Sequence, residues 1–172
     1  GGAPAVSMSN LVNNSGVVAS DVSGVGTARY QLGAASYGTD KAIFGYGTTG
    51  SVSSLTNLVN NSGVIGSDVS GVGTARAGLA AAGYGTDKAI FAYGGGYVSL
   101  SNLVSNSGVV AADVSGVGTA RTNLAAATYG TDKAIFGYGF NDNNVSMTNL
   151  VNSSGVVASD VSGVGTARAD LA

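Results

Sequence analysis

Asp, Arg, Lys and Tyr are the residues of this chain that could move a proton or hold an ion, and the charged ones stand at fixed intervals. Eight residues separate Asp21 from Arg29, Asp68 from Arg76, Asp113 from Arg121 and Asp160 from Arg168. Asp and Lys are adjacent at Asp40-Lys41, Asp87-Lys88 and Asp132-Lys133, leaving only Asp142 and Asp170 outside these two patterns. An Asp ending one strand and an Arg beginning the next can meet, within or between repeats, as a charge-assisted pair, with the guanidinium fork also able to reach backbone carbonyls. That structural reading is the expected one; the functional alternative is a ring of Arg around an axial channel, acting as an anion site. The Asp-Lys pairs have the chemistry for acid–base work, but their position at the start of a strand reads as a turn and a solvated rim.

The missing residue types exclude more. The chain has no His, Cys, Glu or Trp, so Ser-His-Asp and Cys-His arrangements cannot be built and a zinc site has no ordinary ligands. The glycines of DVSGVGTAR lack the lysine and following helix of a phosphate loop. Asp142 stands among Asn141, Asn143 and Asn144, and a single carboxylate makes a weak calcium cage. The expectation is a non-enzymatic protein with no catalytic residue, metal or cofactor.

The elements that carry these residues are copies of one another. SDVSGVGTAR occurs at Ser20–Arg29, Ser67–Arg76 and Ser159–Arg168 and, with one change, at Ala112–Arg121, while YGTDKAIF begins at Tyr37, Tyr84 and Tyr129. The spacing from Asn10 to Gly47, Asn57 to Gly94 and Asn102 to Gly139 is 37 residues each time, whereas the gaps to the next Asn are 10, 8 and 10. A rigid core alternates with a length-tolerant loop, as in solenoids, propellers and other repeat arrays. The whole chain, 1–172, reads as one such array: a half-blade at 1–29, repeats at 30–76, 77–121 and 122–168, and the start of a further inner strand at 169–172.

Composition supports a folded, non-helical array. Apolar residues make up 44% and charged residues 9%, too apolar for a disordered tail, and the 29 glycines show no Gly-X-Y period. No apolar run is long enough to span a bilayer, and no basic segment precedes an apolar one at the start, so neither a membrane nor a signal peptide is expected. A net charge of −2 lacks the basic surface that nucleic acid requires. Recurrent Gly with Ser, Thr, Asn, Val and Tyr favours short strands over helices. In the second unit four strands are predicted near Ser54–Val59, Val64–Asp68, Ala77–Gly83 and Lys88–Tyr93, with turns at Asn60–Gly63, Ser70–Gly73 and Tyr84–Asp87. The small strands LGAAS, LAAAG and LAAAT would lie innermost, where bulk is excluded, and Ile43, Ile90, Ile135, Phe44, Phe91 and Phe136 would fill the space between blades.

Read from Arg76, the order is Arg, a small apolar strand, a turn, KAIFAYG, a variable loop, SLSNLV, NSG, then VVAADVSG and the next Arg. This order resembles the kelch repeat, whose blade runs from an Arg and an Ala-rich inner strand through an apolar strand ending in glycines to two outer strands. The kelch glycine doublet is present only as GYG or AYG, and the outer Trp is absent. A weaker similarity links the Gly-, Ser- and Asn-rich units to repeats of phage and other viral surface proteins. The resemblance implies an all-β, kelch-like β-propeller of about four four-stranded repeats, closed on itself, completed by another chain, or cut as a fragment from a longer array, because unpaired strand edges invite strand addition.

The non-repeating parts are the loops TTGSV, GGY and FNDNN and the pairs after each Arg, Tyr30-Gln31, Ala77-Gly78, Thr122-Asn123 and Ala169-Asp170. In a kelch-like blade both places share one face. Tyr30, Gln31, Tyr97, Phe140, Asn141, Asp142, Asn143 and Asn144 are therefore the candidate ligand-binding residues, set against drift in solvated loops. The functional expectation is a structural or adhesive element of a virion or extracellular surface that self-associates through its end strands as a head-to-tail oligomer or fibre. The competing class is a module that binds a protein or glycan through the variable loops.

Overall fold

The computed structural model describes residues 4–171 and is all-β among them. The strands are β1 Gly33–Tyr37, β2 Lys41–Gly45, β3 Thr56–Val59, β4 Ala80–Tyr84, β5 Lys88–Ala92, β6 Ser101–Val104, β7 Ala125–Tyr129, β8 Lys133–Gly137, β9 Phe140–Asn141, β10 Asn143–Asn144 and β11 Thr148–Val151. They form three antiparallel three-stranded sheets, β1-β2-β3, β4-β5-β6 and β7-β8-β11, and a minimal β9-β10 hairpin. The KAIF strand is the middle one each time, with equivalent register: Ile43 pairs with Ala35 and Leu58, and Ile90 with Ala82 and Leu103. Among the described residues no helix is long and apolar enough to cross a membrane.

The sheets stack in chain order, β1 on β4 and β4 on β7. Period-two alternation along the KAIF strand decides what fills the gaps. Phe91 turns back toward the first sheet, against Gly33 and Gly45 and edge-on to Tyr46 with ring centroids 5.2 Å apart, while Ile90 packs forward with Leu124 and Phe136. Small residues on β1, β2 and β4 let the backbones come this close; a Cβ on Gly33 would lie 3.1 Å, and one on Gly45 2.8 Å, from the Phe91 ring. The end sheets show the same alternation with one side uncovered. Phe44 and Ile135 are only partly buried, whereas Ile43, Ile90, Phe91 and Phe136 are fully buried.

The fourth strand of each repeat is not continuous, which corrects the four-stranded unit read from the sequence. In the second repeat it touches β3 only at the isolated bridges Thr56↔Val69 and Val59↔Ile65. Two residues on β3 face three on the other side between those bridges, which is the signature of a bulge. The cause is a side chain: Asn57 donates from Nδ2 to the Gly66 carbonyl at 3.1 Å and to the Asp68 carboxylate at 2.9 Å, taking a ladder position that backbone amides would otherwise fill.

The first unit supplies only this outer pair, bridged at Ser9↔Val22 and Val12↔Val18. The opening of the half-blade at 1–3 and the end of the further strand at 172 lie outside the described residues. Among those described, no hydrogen bond joins the first unit to the last, and the three sheets do not close on one another.

Candidate functional site

Arg76 and Arg121 each sit at a joint, held from both sides. Arg76 follows the bulged outer strand, and its Nε donates to the Tyr93 carbonyl at 2.8 Å and its guanidinium to Asn102 Oδ1 at 2.7 Å, both in the next repeat. A third bond runs to the Thr74 carbonyl at 3.0 Å, and the ring of Tyr46 lies 4.3 Å from the guanidinium carbon. Arg121 repeats this with Tyr138, Asn149, Thr119 and the ring of Tyr93, also at 4.3 Å. Arg76 is 1% exposed and Arg121 0%. A buried charge is tolerated only when its donors are used, and a planar fork against an aromatic face satisfies that condition.

The circuit continues beyond the guanidinium. Asn102 donates to Asp113 at 2.9 Å, and Asp113 accepts from the amide and hydroxyl of Thr74, which belongs to the preceding repeat, at 3.0 and 2.7 Å. The same Thr–Asp–Asn–Arg clasp links Thr27, Asp68, Asn57 and Arg29, and Thr119, Asp160, Asn149 and Arg121. The Thr27 hydroxyl holds the Asp68 carboxyl below its ordinary value against the opposing effect of burial, helped by Asn57, the Thr27 amide and Arg29. At Asp113 and Asp160 burial is the largest single influence and pushes upward. The Thr, Asn and Arg partners together outweigh it and the net shift is again downward.

Tyr46 and Tyr93 are fully buried with left-handed backbones, φ 64° in both, a conformation costly for an aromatic residue unless its surroundings enforce it. Their hydroxyls donate to the Val72 and Val117 carbonyls at 3.1 and 3.2 Å. Burial pushes the Tyr93 hydroxyl up to about 12, with Arg121 opposing, so it remains a donor at neutral pH.

Asp and Arg of one repeat do not pair with each other. Arg29 reaches Asp68 of the next unit at 3.4 Å, and Asp21 accepts from Asn10 at 2.8 Å. Arg29, Arg76 and Arg121 are buried in joints and do not line an open channel, which removes the geometry of an anion ring. The Asp-Lys neighbours lie at the turns, 3.0–3.6 Å apart with half-exposed side chains. No cluster of three potential metal-ligating side chains occurs among the described residues.

The variable positions are brought together on one rim. Tyr30 bridges to Thr48 and Thr122 to Phe140, so each residue after an Arg meets the loop after GYG. The second members form a ladder: Gly78 donates to Gln31, Asn123 to Gly78 and Asp170 to Asn123, at 3.0, 2.8 and 3.0 Å. All four have positive φ, from 53° to 63°, which explains Gly, Asn and Asp at this site and makes Gln31 the exception. Tyr30 and Tyr97 are exposed, and the Tyr97 and Phe140 rings lie 6.4 Å apart. Asn141, Asp142, Asn143 and Asn144 make the β9-β10 hairpin, with Asp142 at its tip in a left-handed conformation.

The chain matches no protein-family model and no curated protein. The clasp itself is what the sequence reading missed. Its Tyr, Asn and Thr members were visible only as repeated letters in GYG, NLV and GTAR. The signal that could have found them is polar Asn inside an otherwise apolar strand, since such a residue must face either solvent or a buried partner.

Proposed function

We propose that the protein is a non-enzymatic structural or adhesive repeat array of a virion or extracellular surface, built of kelch-like propeller blades and self-associating through its end units. The observation that carries this reading is the clasp at three successive joints. It commits the repeated Arg, Asp, Asn and Thr side chains to holding each unit on the next, and a side chain fixed in that way serves stiffness. Electron-microscope images of the purified chain test it: closed rings or fibres of stacked units support the reading, and flexible, separable beads count against it.

A second reading, recognition of a protein or glycan, is favoured by the Tyr97–Phe140 ring pair and by the exposure of Tyr97 and Tyr30. Aromatic faces next to amide groups suit sugar rings and protein surfaces alike. Replacing Phe140–Asn144 by the GGY loop of the preceding repeat should leave the melting temperature unchanged and remove ligands retained on a glycan or protein array; equal retention by the swapped chain rejects this second reading.

A further inference from the structure

The strand asparagines of the repeat use their side-chain nitrogen inside the clasp; the turn asparagines do not. Asn57 and Asn102 each donate twice from Nδ2. Asn60, at the turn that follows β3, is exposed and uses only its oxygen. Its Oδ1 accepts from the Ser62 and Val64 amides, both at 2.9 Å, and its Nδ2 forms no hydrogen bond among the described residues. Asn13 and Asn152 hold the same turn, Oδ1 accepting from Ser15 and Val17 and from Ser154 and Val156 at 2.9–3.0 Å. Such an Asx turn fixes the side chain through its oxygen and leaves the nitrogen to solvent.

Each of these three asparagines has a serine two residues on: Asn13-Asn14-Ser15, Asn60-Asn61-Ser62 and Asn152-Ser153-Ser154. Asn-x-Ser on an exposed turn is the acceptor pattern for N-linked oligosaccharide. The third repeat keeps the turn and loses the pattern, since Ser105 stands at the acceptor position and its Oγ takes the Ser107 and Val109 amides at 3.3 and 3.1 Å. Turn and acceptor are thus separable within one chain. The neighbourhood also suits a bulky hydrophilic group. Val64, whose amide closes the Asn60 turn, is 60% exposed, and the equivalent Val109 is 65% exposed. Both valines belong to units with a neighbour on either side, and a sugar on the adjacent nitrogen would cover Val64.

Resting on the extracellular reading above, we infer that Asn60, and with it Asn13 and Asn152, is an acceptor for N-linked glycan. The donor class is an oligosaccharide carried on a lipid diphosphate, delivered by a transferase of the secretory route. Asn60 Nδ2 bonds to the anomeric carbon, the bond from that carbon to the diphosphate oxygen breaks, and the proton lost by the amide nitrogen goes to the departing diphosphate. The fold gives up no hydrogen bond, because Oδ1 keeps both amides. The turn closes β3 at the end opposite the variable loop that leads into it, so these sugars stand away from the variable rim. A fourth Asn-x-Ser, Asn144-Val145-Ser146, lies on that rim and is held in the β9-β10 hairpin instead.

The full chain, secreted from animal cells behind a cleavable leader, tests the assignment. Release of glycan by an amidase in heavy-oxygen water leaves an isotopic mark at each formerly glycosylated Asn, and peptide mass spectrometry should find that mark at Asn13, Asn60 and Asn152. Ser62→Ala preserves the turn, which uses only the Ser62 amide, and should remove the mark at Asn60 with the melting temperature in place. Ser105→Asn should gain a glycan in the third repeat, where the turn is already built. An unmarked Asn60 in the wild-type chain, a mark at Asn144 alone, or a bare third repeat in Ser105→Asn overturns the inference. So does a mark at Asn60 that survives Ser62→Ala, because the modification would then not follow the acceptor pattern. The structural reading is judged apart from this: rings or fibres of a chain bare at Asn60 leave that reading standing, and separable beads that carry the glycan leave only the acceptor site.

Discussion

Arg121 and Arg29 have the same sequence neighbours and different surroundings. Arg121 lies between the Tyr93 ring of its own sheet and the Asn149 amide of the next, with its Nε bonded to the Tyr138 carbonyl. Arg29 meets the next unit in the same way, through Asn57 at 2.6 Å, but no tyrosine covers its other face, and its buried Nε has no partner. A cavity of about 140 Å³ opens beside it, lined by Val6, Met8, Leu32 and Phe44. Where the ring is present the Nε also finds its carbonyl acceptor; where it is absent only the outer guanidinium nitrogens are bonded. Arg168 shows the converse, a tyrosine in place and no acceptor from a following unit. The clasp is complete only where a unit has neighbours on both sides.

The largest effect should separate these sites directly. Arg121→Ala leaves Asn149 and Asp160 without their cation and is expected to cost about 3–5 kcal/mol in chemical denaturation, the penalty of breaking a buried charged pair. Arg168→Ala should stay within about 0.5 kcal/mol, as surface substitutions do. Equal losses at the two sites would erase the comparison.

Acid should come next, acting on all internal joints together. Because Asp68, Asp113 and Asp160 are held below their ordinary value when folded, their contribution is fully present above the unfolded carboxylate value of about 3.9 and is lost as pH falls through the depressed folded values. A melting temperature that is flat down to about pH 4 and then drops is expected. A fall beginning near neutrality would point to other groups.

The smallest effect belongs to the tyrosine hydroxyl. Tyr93→Phe keeps the ring over Arg121 and removes the bond to Val117, and should cost about 0.5–1.5 kcal/mol, a neutral hydrogen bond's worth. A much larger loss would assign the clasp to the hydroxyl and not to the ring.

The repeated segments made the fold class legible, since Gly, Ser, Asn and Val between regular turn signals leave little but short strands. The KAIF register and the small first strand follow from alternation alone: Ile and Phe must point to opposite faces, and a sheet stacked on another needs Ala or Gly opposite a phenylalanine. The fourth strand was misread because Val64–Asp68 has strand-forming residues, while its pairing is decided by Asn57, a side chain from the neighbouring strand. The Asp–Arg pattern left pairing within or between repeats open, and the structure takes the second course, Arg29 reaching Asp68 39 residues away, a choice that spacing within one unit could not make. Gln31, Asn123 and Asp170 looked like free surface variation, yet a shared left-handed backbone restricts what can stand there.

A double-mutant cycle across one joint tests the central claim most directly, that an Arg fixed by its neighbours is what makes adjacent units one body. Arg121→Ala, Asn149→Ala and the pair would be unfolded in denaturant under identical conditions. A coupling of about 1.5–3 kcal/mol, the range of a hydrogen bond to a charged group, is the predicted result. Additive losses would contradict it, leaving Arg121 and Asn149 as two buried residues that happen to touch.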